Sequence, residues 1–142
     1  MEFFVYGRRE IEAGVVMRMP YVLISIFDPH SRKPRPRFDR LCREVLYLRF
    51  HDAEPSAVFQ LPPDIRLMSR RQARAIWQFV STWRERVQAI AVHCEAGMSR
   101  SPAIAAAVCS VLGDSDARFF RDYQPNQYIY QLLISTRPAE LG

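Results

Sequence analysis

Lysine is almost missing from this chain of 142 residues: Lys33 stands alone against 19 arginines. Basic residues still exceed acidic ones, 20 to 15, for a net charge of +5. Such an excess attracts anions, but by itself it names no partner. Cysteine is scarce as well, with only Cys42, Cys94 and Cys109, far apart in the chain. Three thiols so spaced exclude a disulfide framework, point to a reducing cytoplasmic setting and leave at least one thiol free. No apolar run approaches the roughly 20 residues that cross a bilayer. The longest, Tyr21–Phe27 and Ala103–Leu112, exclude a membrane-spanning helix. The apolar start Met1–Tyr6 meets Arg8, Arg9 and Glu10 without the long apolar region or cleavage site of a signal peptide. No repeat or break in composition divides the chain. With 49% hydrophobic and 25% charged residues it suits one compact domain over 1–142.

What is present alternates between strand and helix patterns. Phe3–Tyr6 reads as a short strand, and Tyr21–Phe27 (YVLISIF) as a buried one, rich in β-branched and aromatic residues. From Asp28 to Asp39, Pro29, Pro34 and Pro36 stand among Arg32, Lys33, Arg35 and Arg37, which predicts a surface loop. The basic run Arg32–Arg43 reads as a solvated loop, with contact to an anionic partner as the functional alternative. Val45–Phe50 (VLYLRF) resumes a strand and leads into a proline-rich loop from Asp52 to Ser69. Ser69 and Gln72 have the spacing of a capping box. Ala73, Ile76, Phe79, Val80, Trp83 and Val87 then recur at helical intervals, the stripe of an amphipathic helix. The aromatic residues Trp77, Phe79 and Trp83 are assigned to core and helix surface.

Ala89–His93 (AIAVH) predicts a short buried strand, and Cys94–Ser99 has room only for a turn. Pro102 suits a helix's first turn, Ala103–Leu112 suits its body, and Gly113 supplies a stop. Asp114 or Ser115 is placed to cap a short following helix. Asn126 is placed to cap a last one that carries Ile129, Leu132 and Leu133 on one face. The alternation predicts an α/β fold: a central, mainly parallel sheet flanked by helices on both faces, with the functional site at the C-terminal end of the strand Ala89–His93.

A cysteine followed six residues later by arginine is weak on its own, arising by chance in roughly one such chain in three. The frame His93, Cys94, Gly97, Arg100 and Ser101 between a strand and a helix is far more specific. Neither Cys42, with Leu48 six residues on, nor Cys109, with Ser115, has such a partner. A phosphate monoester offers three equatorial oxygens, and a loop at a helix N-terminus presents successive backbone N–H groups to them. Glu95, Ala96, Gly97, Met98, Ser99 and Arg100 would supply those amides. Arg100 can clamp two oxygens with its planar fork, which a lysine cannot do, and stabilise charge in the transition state. The same positive field favours the thiolate of Cys94, the form that attacks phosphorus. Gly97 is free to take positive φ. Ser101 can donate to the sulfur, and His93 is expected to hold loop backbone in place.

HCEAGMSRS resembles the signature loop of the protein tyrosine phosphatase superfamily: histidine, cysteine, five residues, arginine, then serine or threonine. The continuation into Pro102 and a small-residue helix is most similar to the dual-specificity branch. The likeness covers about 45–112, taken as the catalytic core, and the rest of the chain follows in general plan. It implies a metal-independent phosphatase fold and activity without a cofactor, working through a cysteinyl-phosphate, with an aspartate on a separate loop as general acid. Asp52 fits that role, following the strand Val45–Phe50 and lying 42 positions before Cys94. Asp64 in the same loop is the reserve and Asp28 a poorer candidate. The chain departs from the large tyrosine-specific enzymes in lacking a phosphotyrosine-recognition loop.

The expected partner is a phosphorylated protein, on tyrosine or on serine and threonine, with phosphate-like oxyanions as inhibitors; nucleic acid is not an expected partner. The alternatives are a phosphoinositide or RNA 5′-phosphatase with the same chemistry, or a non-catalytic phospho-binding relative. Ala96 and Met98 stand where lipid phosphatases often place lysines. Cys109 reads as a core residue, and Cys42 as structural, with redox pairing to Cys94 as its alternative.

Overall fold

The computed structural model describes residues 1–37 and 39–141. Four parallel strands form its sheet: β1 (Glu2–Gly7), β2 (Tyr21–Phe27), β3 (Cys42–Arg49) and β4 (Ala89–Cys94), in the spatial order β1-β4-β2-β3. The central strands β2 and β4 are buried along their whole length, which is why they read as continuous apolar runs. Alternate residues divide between two cores. Val22, Ile24, Ile26, Ile90 and Val92 face the larger, Tyr21, Leu23, Ala89 and Ala91 the smaller.

The larger core is closed by α2 (Arg70–Trp83), α3 (Arg100–Val111), α4 (Ala117–Asp122) and α5 (Gln127–Ser135), with a last 3₁₀ turn at Ala139–Leu141. The other face is covered by the short α1 (Arg8–Ala13), which contributes Ile11, and by the segment between α1 and β2, which contributes Met17 with Val15 and Met19; the loop that follows β2 adds Leu41 and packs on α1. Arg35 N–H donates to Glu12 Oε2 at 2.9 Å and Arg37 N–H to the Ile11 carbonyl at 3.1 Å, so that loop is sewn onto α1. α1 has no sequence signal: six residues are too few to show a helical stripe.

The capping box before α2 is present, with Ser69 Oγ accepting Gln72 N–H at 3.1 Å and Gln72 Oε1 accepting Ser69 N–H at 3.0 Å. The buried stripe of α2 is Ala73, Ile76, Trp77 and Val80; Phe79 and Trp83 are half-buried, and Val87 lies beyond the helix end. Trp77 goes inside because its indole N–H finds the Leu133 carbonyl at 3.0 Å. The cap of α4 is Asp116 rather than Asp114 or Ser115, although Ser115 Oγ accepts the Ala117 N–H at 3.3 Å. Asn126 Oδ1 caps α5 through Ile129 N–H at 3.0 Å; Ile129 and Leu133 are buried and Leu132 half-buried. Among the described residues no helix is long and apolar enough to cross a membrane.

Since all four strands run the same way, their C-terminal ends, at Gly7, Cys94, Phe27 and Arg49, share one edge of the sheet. In parallel sheets that edge is where ligands bind, and the loops leaving it carry the candidate residues.

Candidate active site

β4 ends at Cys94 and α3 begins at Arg100, so the residues between form a loop at a helix N-terminus in the middle of the sheet. Gly97 has φ +73°, in the left-handed region. A Cβ there would lie 2.8 Å from Gly7 N and 2.9 Å from the Tyr6 carbonyl carbon. Glycine is therefore needed twice, for the turn and for the close approach of β1. Arg8 N–H completes the brace by donating to the Glu95 carbonyl at 3.0 Å.

The Cys94 side chain is almost covered, at 2% exposure, and its sulfur sits under the loop. Gly97 N–H points at Sγ from 3.3 Å, and Ser101 Oγ lies 3.1 Å from it. Both can donate to a thiolate, which spreads the negative charge over fixed dipoles.

Arg100 is also buried. Its Nη1 donates to Asp28 Oδ1 and to the Phe50 carbonyl, both at 2.7 Å. Nε and Nη2 have no protein partner among the described residues. No fully buried side-chain nitrogen lacks a partner there either, so these two reach solvent. One nitrogen fixes the guanidinium from behind and the other two remain as a fork. Asp28, ranked from sequence only as a minor candidate for the acid, is thus the anchor of Arg100. The signal for it was its place directly after the buried strand β2, at the same edge as Cys94.

Asp52 Oδ1 accepts Ser99 Oγ–H at 2.8 Å and Asn126 Nδ2–H at 2.9 Å, and Oδ2 has no partner among the described residues. Asn126 is 3% exposed and also donates to the Ala53 carbonyl at 3.1 Å and, from its backbone, to Ser99 O at 3.1 Å. Glu54 accepts the Gln127 N–H, tying the same segment to α5. Asp52 is therefore held one hydrogen bond from the last residue before α3. Asp64 is exposed and makes no such contact among the described residues. Asn126, legible in the sequence only as a helix cap, also latches this loop.

The structure is similar to that of human DUSP28, with a TM-score of 0.60 over 94% of this chain and 90% of that one at 18% identity. It is also similar to human tyrosine phosphatase-like serine/threonine/tyrosine-interacting protein, with a TM-score of 0.54 over 82% and 75% at 20% identity. This chain has the dual-specificity phosphatase fold. No family model matches the sequence, and no curated protein matches it either. At these identities the likeness is one of fold, and the predicted α/β class with its parallel sheet agrees with it.

In this phosphatase fold His93 is fully buried behind the loop. Its Nδ1 lies 3.2 Å from the Cys94 carbonyl, which can only accept, so Nδ1 carries the proton. Nε2 then accepts Ser25 Oγ–H at 2.6 Å. Burial pushes the imidazole down to about 4, against the bond to Cys94 that favours the charged form. The unfolded chain therefore binds a proton between about pH 6.5 and 4 that the folded chain refuses. The stability this contributes is complete above 6.5 and lost on acidification through that window, on the order of 3 kcal/mol in all. His93→Asn should be less stable at pH 7 yet have a flatter stability profile between pH 6.5 and 4, read by urea unfolding at several pH values.

Arg8 is a second buried arginine at the loop, 3.7 Å from Glu95 Oε2 and 3.4 Å from Glu12 Oε1. It holds the Glu95 side chain aside. Nothing in the sequence around Arg8 marks it for that task. Cys42 is out of reach of Cys94 for redox pairing. It pairs in register with Tyr21, which is level with Ala89, five residues down β4 from Cys94. At about 3.3 Å per residue the two thiols stand some 16 Å apart along the sheet alone, far beyond disulfide reach. Cys109 is buried in α3, as a core residue.

Proposed function

We propose that this chain is a phosphatase of the protein-tyrosine and dual-specificity type, acting on phosphate monoesters through a cysteinyl-phosphate. What carries this reading is the convergence, at one helix N-terminus, of the Cys94 sulfur with two free nitrogens of an anchored Arg100. The loop amides and the Arg100 fork take the equatorial oxygens, which leaves phosphorus facing Sγ. The thiolate attacks, an S–P bond forms as the ester P–O bond breaks, and protonated Asp52 gives its proton to the leaving oxygen through Oδ2. Water then attacks the phosphocysteine and loses its proton to Asp52. The S–P bond breaks, and Ser101 stabilises the returning thiolate. These side chains and the attacking water supply every proton and electron pair of the cycle as drawn. Protein phosphotyrosine is the favoured substrate, with phosphoserine and phosphothreonine included. Vanadate and phosphate are expected to inhibit.

The test is phosphate release from a phosphotyrosine peptide with chelator present, in the wild type and in Asp52→Asn. The variant should lose about 10²-fold in kcat on the peptide, whose phenol is a poor leaving group. It should lose far less on an aryl ester whose phenol is already acidic. Equal losses on both substrates would remove Asp52 from the acid role, and no release by the wild type would remove the reading itself.

A further inference from the structure

Two cations beside the mouth have no part in the chemistry above. Arg49, at the end of β3, lays its guanidinium over the Phe27 ring at 4.8 Å and donates from Nη1 to the Pro29 carbonyl at 3.2 Å. Lys33, the single lysine, holds its ammonium 4.0 Å over the Tyr47 ring. The two rings meet edge to face with centroids 6.5 Å apart. Pro29 follows Asp28, and Phe50 follows Arg49, and Asp28 and Phe50 are the two groups that grip Arg100. The cationic pair therefore starts at the wall of the clamp and continues down the sheet face. Among the described residues neither cation has a carboxylate within 4.0 Å, whereas the neighbouring Arg8 and Arg32 are both taken up by Glu12. Aromatic support holds each charged head in place, and the Lys33 ammonium and the Arg49 nitrogens other than Nη1 have no protein partner among the described residues.

We infer that Arg49 and Lys33 form a subsite for acidic residues flanking the phosphorylated residue of an extended peptide substrate. This deepens the phosphatase reading and rests on it. The two cations sit on rings that meet edge to face, so one extended segment running past the mouth can pass both. Alternate side chains of such a segment point the same way, so acidic or phosphorylated flanking residues on that side can meet the pair. A single-stranded nucleic acid, whose phosphates also repeat, fits less well: Phe27 is buried and Tyr47 is capped by Lys33, so no open aromatic face remains for its bases.

The experiment measures kcat/KM at low salt for three phosphotyrosine peptides with acidic, neutral or basic residues at alternate flanking positions, and for a 5′-phosphorylated oligonucleotide. Wild type should prefer the acidic over the neutral peptide about tenfold, through KM, and Lys33→Gln/Arg49→Gln should reduce that preference below about threefold. A wild type that turns over all peptides alike sinks the subsite and leaves the phosphatase reading standing. A preference that survives in the double variant assigns it elsewhere and also sinks it. An oligonucleotide that outcompetes the acidic peptide through the same two residues overturns the peptide assignment. Where no substrate is turned over the phosphatase reading fails, and binding of the same peptides to Cys94→Ser, by fluorescence anisotropy, still decides whether these cations select acidic flanks.

Discussion

Cys94→Ser is expected to fold like the wild type and to release no measurable phosphate, a loss of about 10⁴-fold or more in kcat. The serine hydroxyl is smaller than the thiol and is offered the same neighbours, Gly97 N–H and Ser101 Oγ. The substitution is therefore gentle to a site that is almost fully covered, and stability should move by no more than about 1 kcal/mol. The chemistry changes much more. A hydroxyl offered the same two donors is a much weaker nucleophile than sulfur. No nearby base rescues it, since His93 turns its proton-free nitrogen away to Ser25. Asp52 Oδ1 is engaged by Ser99 and Asn126, and in the proposed cycle the carboxyl serves the leaving oxygen. The check is phosphate release beside a thermal melt. Turnover in the serine variant near the wild-type rate would mean that sulfur is not the nucleophile. A collapsed melt would instead make Cys94 a packing residue.

The strands and the loop between β4 and α3 were legible because each has a strong local signature. YVLISIF and AIAVH can only be buried strands, and a cysteine and arginine framed by histidine, glycine and serine between a strand and a helix have a geometry implied by spacing. Ser69 and Gln72 announced α2, and Asn126 announced α5, because caps act within one turn of chain. What stayed hidden depends on distance in sequence. Asp28 and Arg100 are 72 residues apart and meet only because parallel strands bring β2 and β4 side by side. Asn126 reaches Asp52 across 74 residues, through the packing of α5 on α3. Trp77 lies on the stripe of Ala73, Ile76 and Val80, but the carbonyl of Leu133 that satisfies its indole N–H belongs to another helix and could not be read from the period. Periodicity thus reports which face is buried, while the partners of polar groups are set by topology.

Arg100→Lys should cost at least about 10³-fold in kcat/KM, although it keeps the charge. The reason lies in how the guanidinium is divided. Nη1 is spent on Asp28 and Phe50, and Nε and Nη2, coplanar with it, are left without a protein partner among the described residues. An ammonium is one point with no second edge. If it stays with Asp28 the anion loses its clamp; if it moves to the anion, Asp28 and the Phe50 carbonyl lose their donor. Asp28→Asn separates these roles, since it can still accept from Nη1 but no longer balances its charge, and a smaller loss of about tenfold is expected. Oxyanion binding gives a readout apart from turnover. Vanadate at a hundred times its Kd should raise wild-type stability by about 2.7 kcal/mol, which a thermal melt resolves easily. The lysine variant should show little of that shift. Were it stabilised like the wild type, a single positive charge would be enough to hold the anion, and the planar fork would not be what the loop is built around.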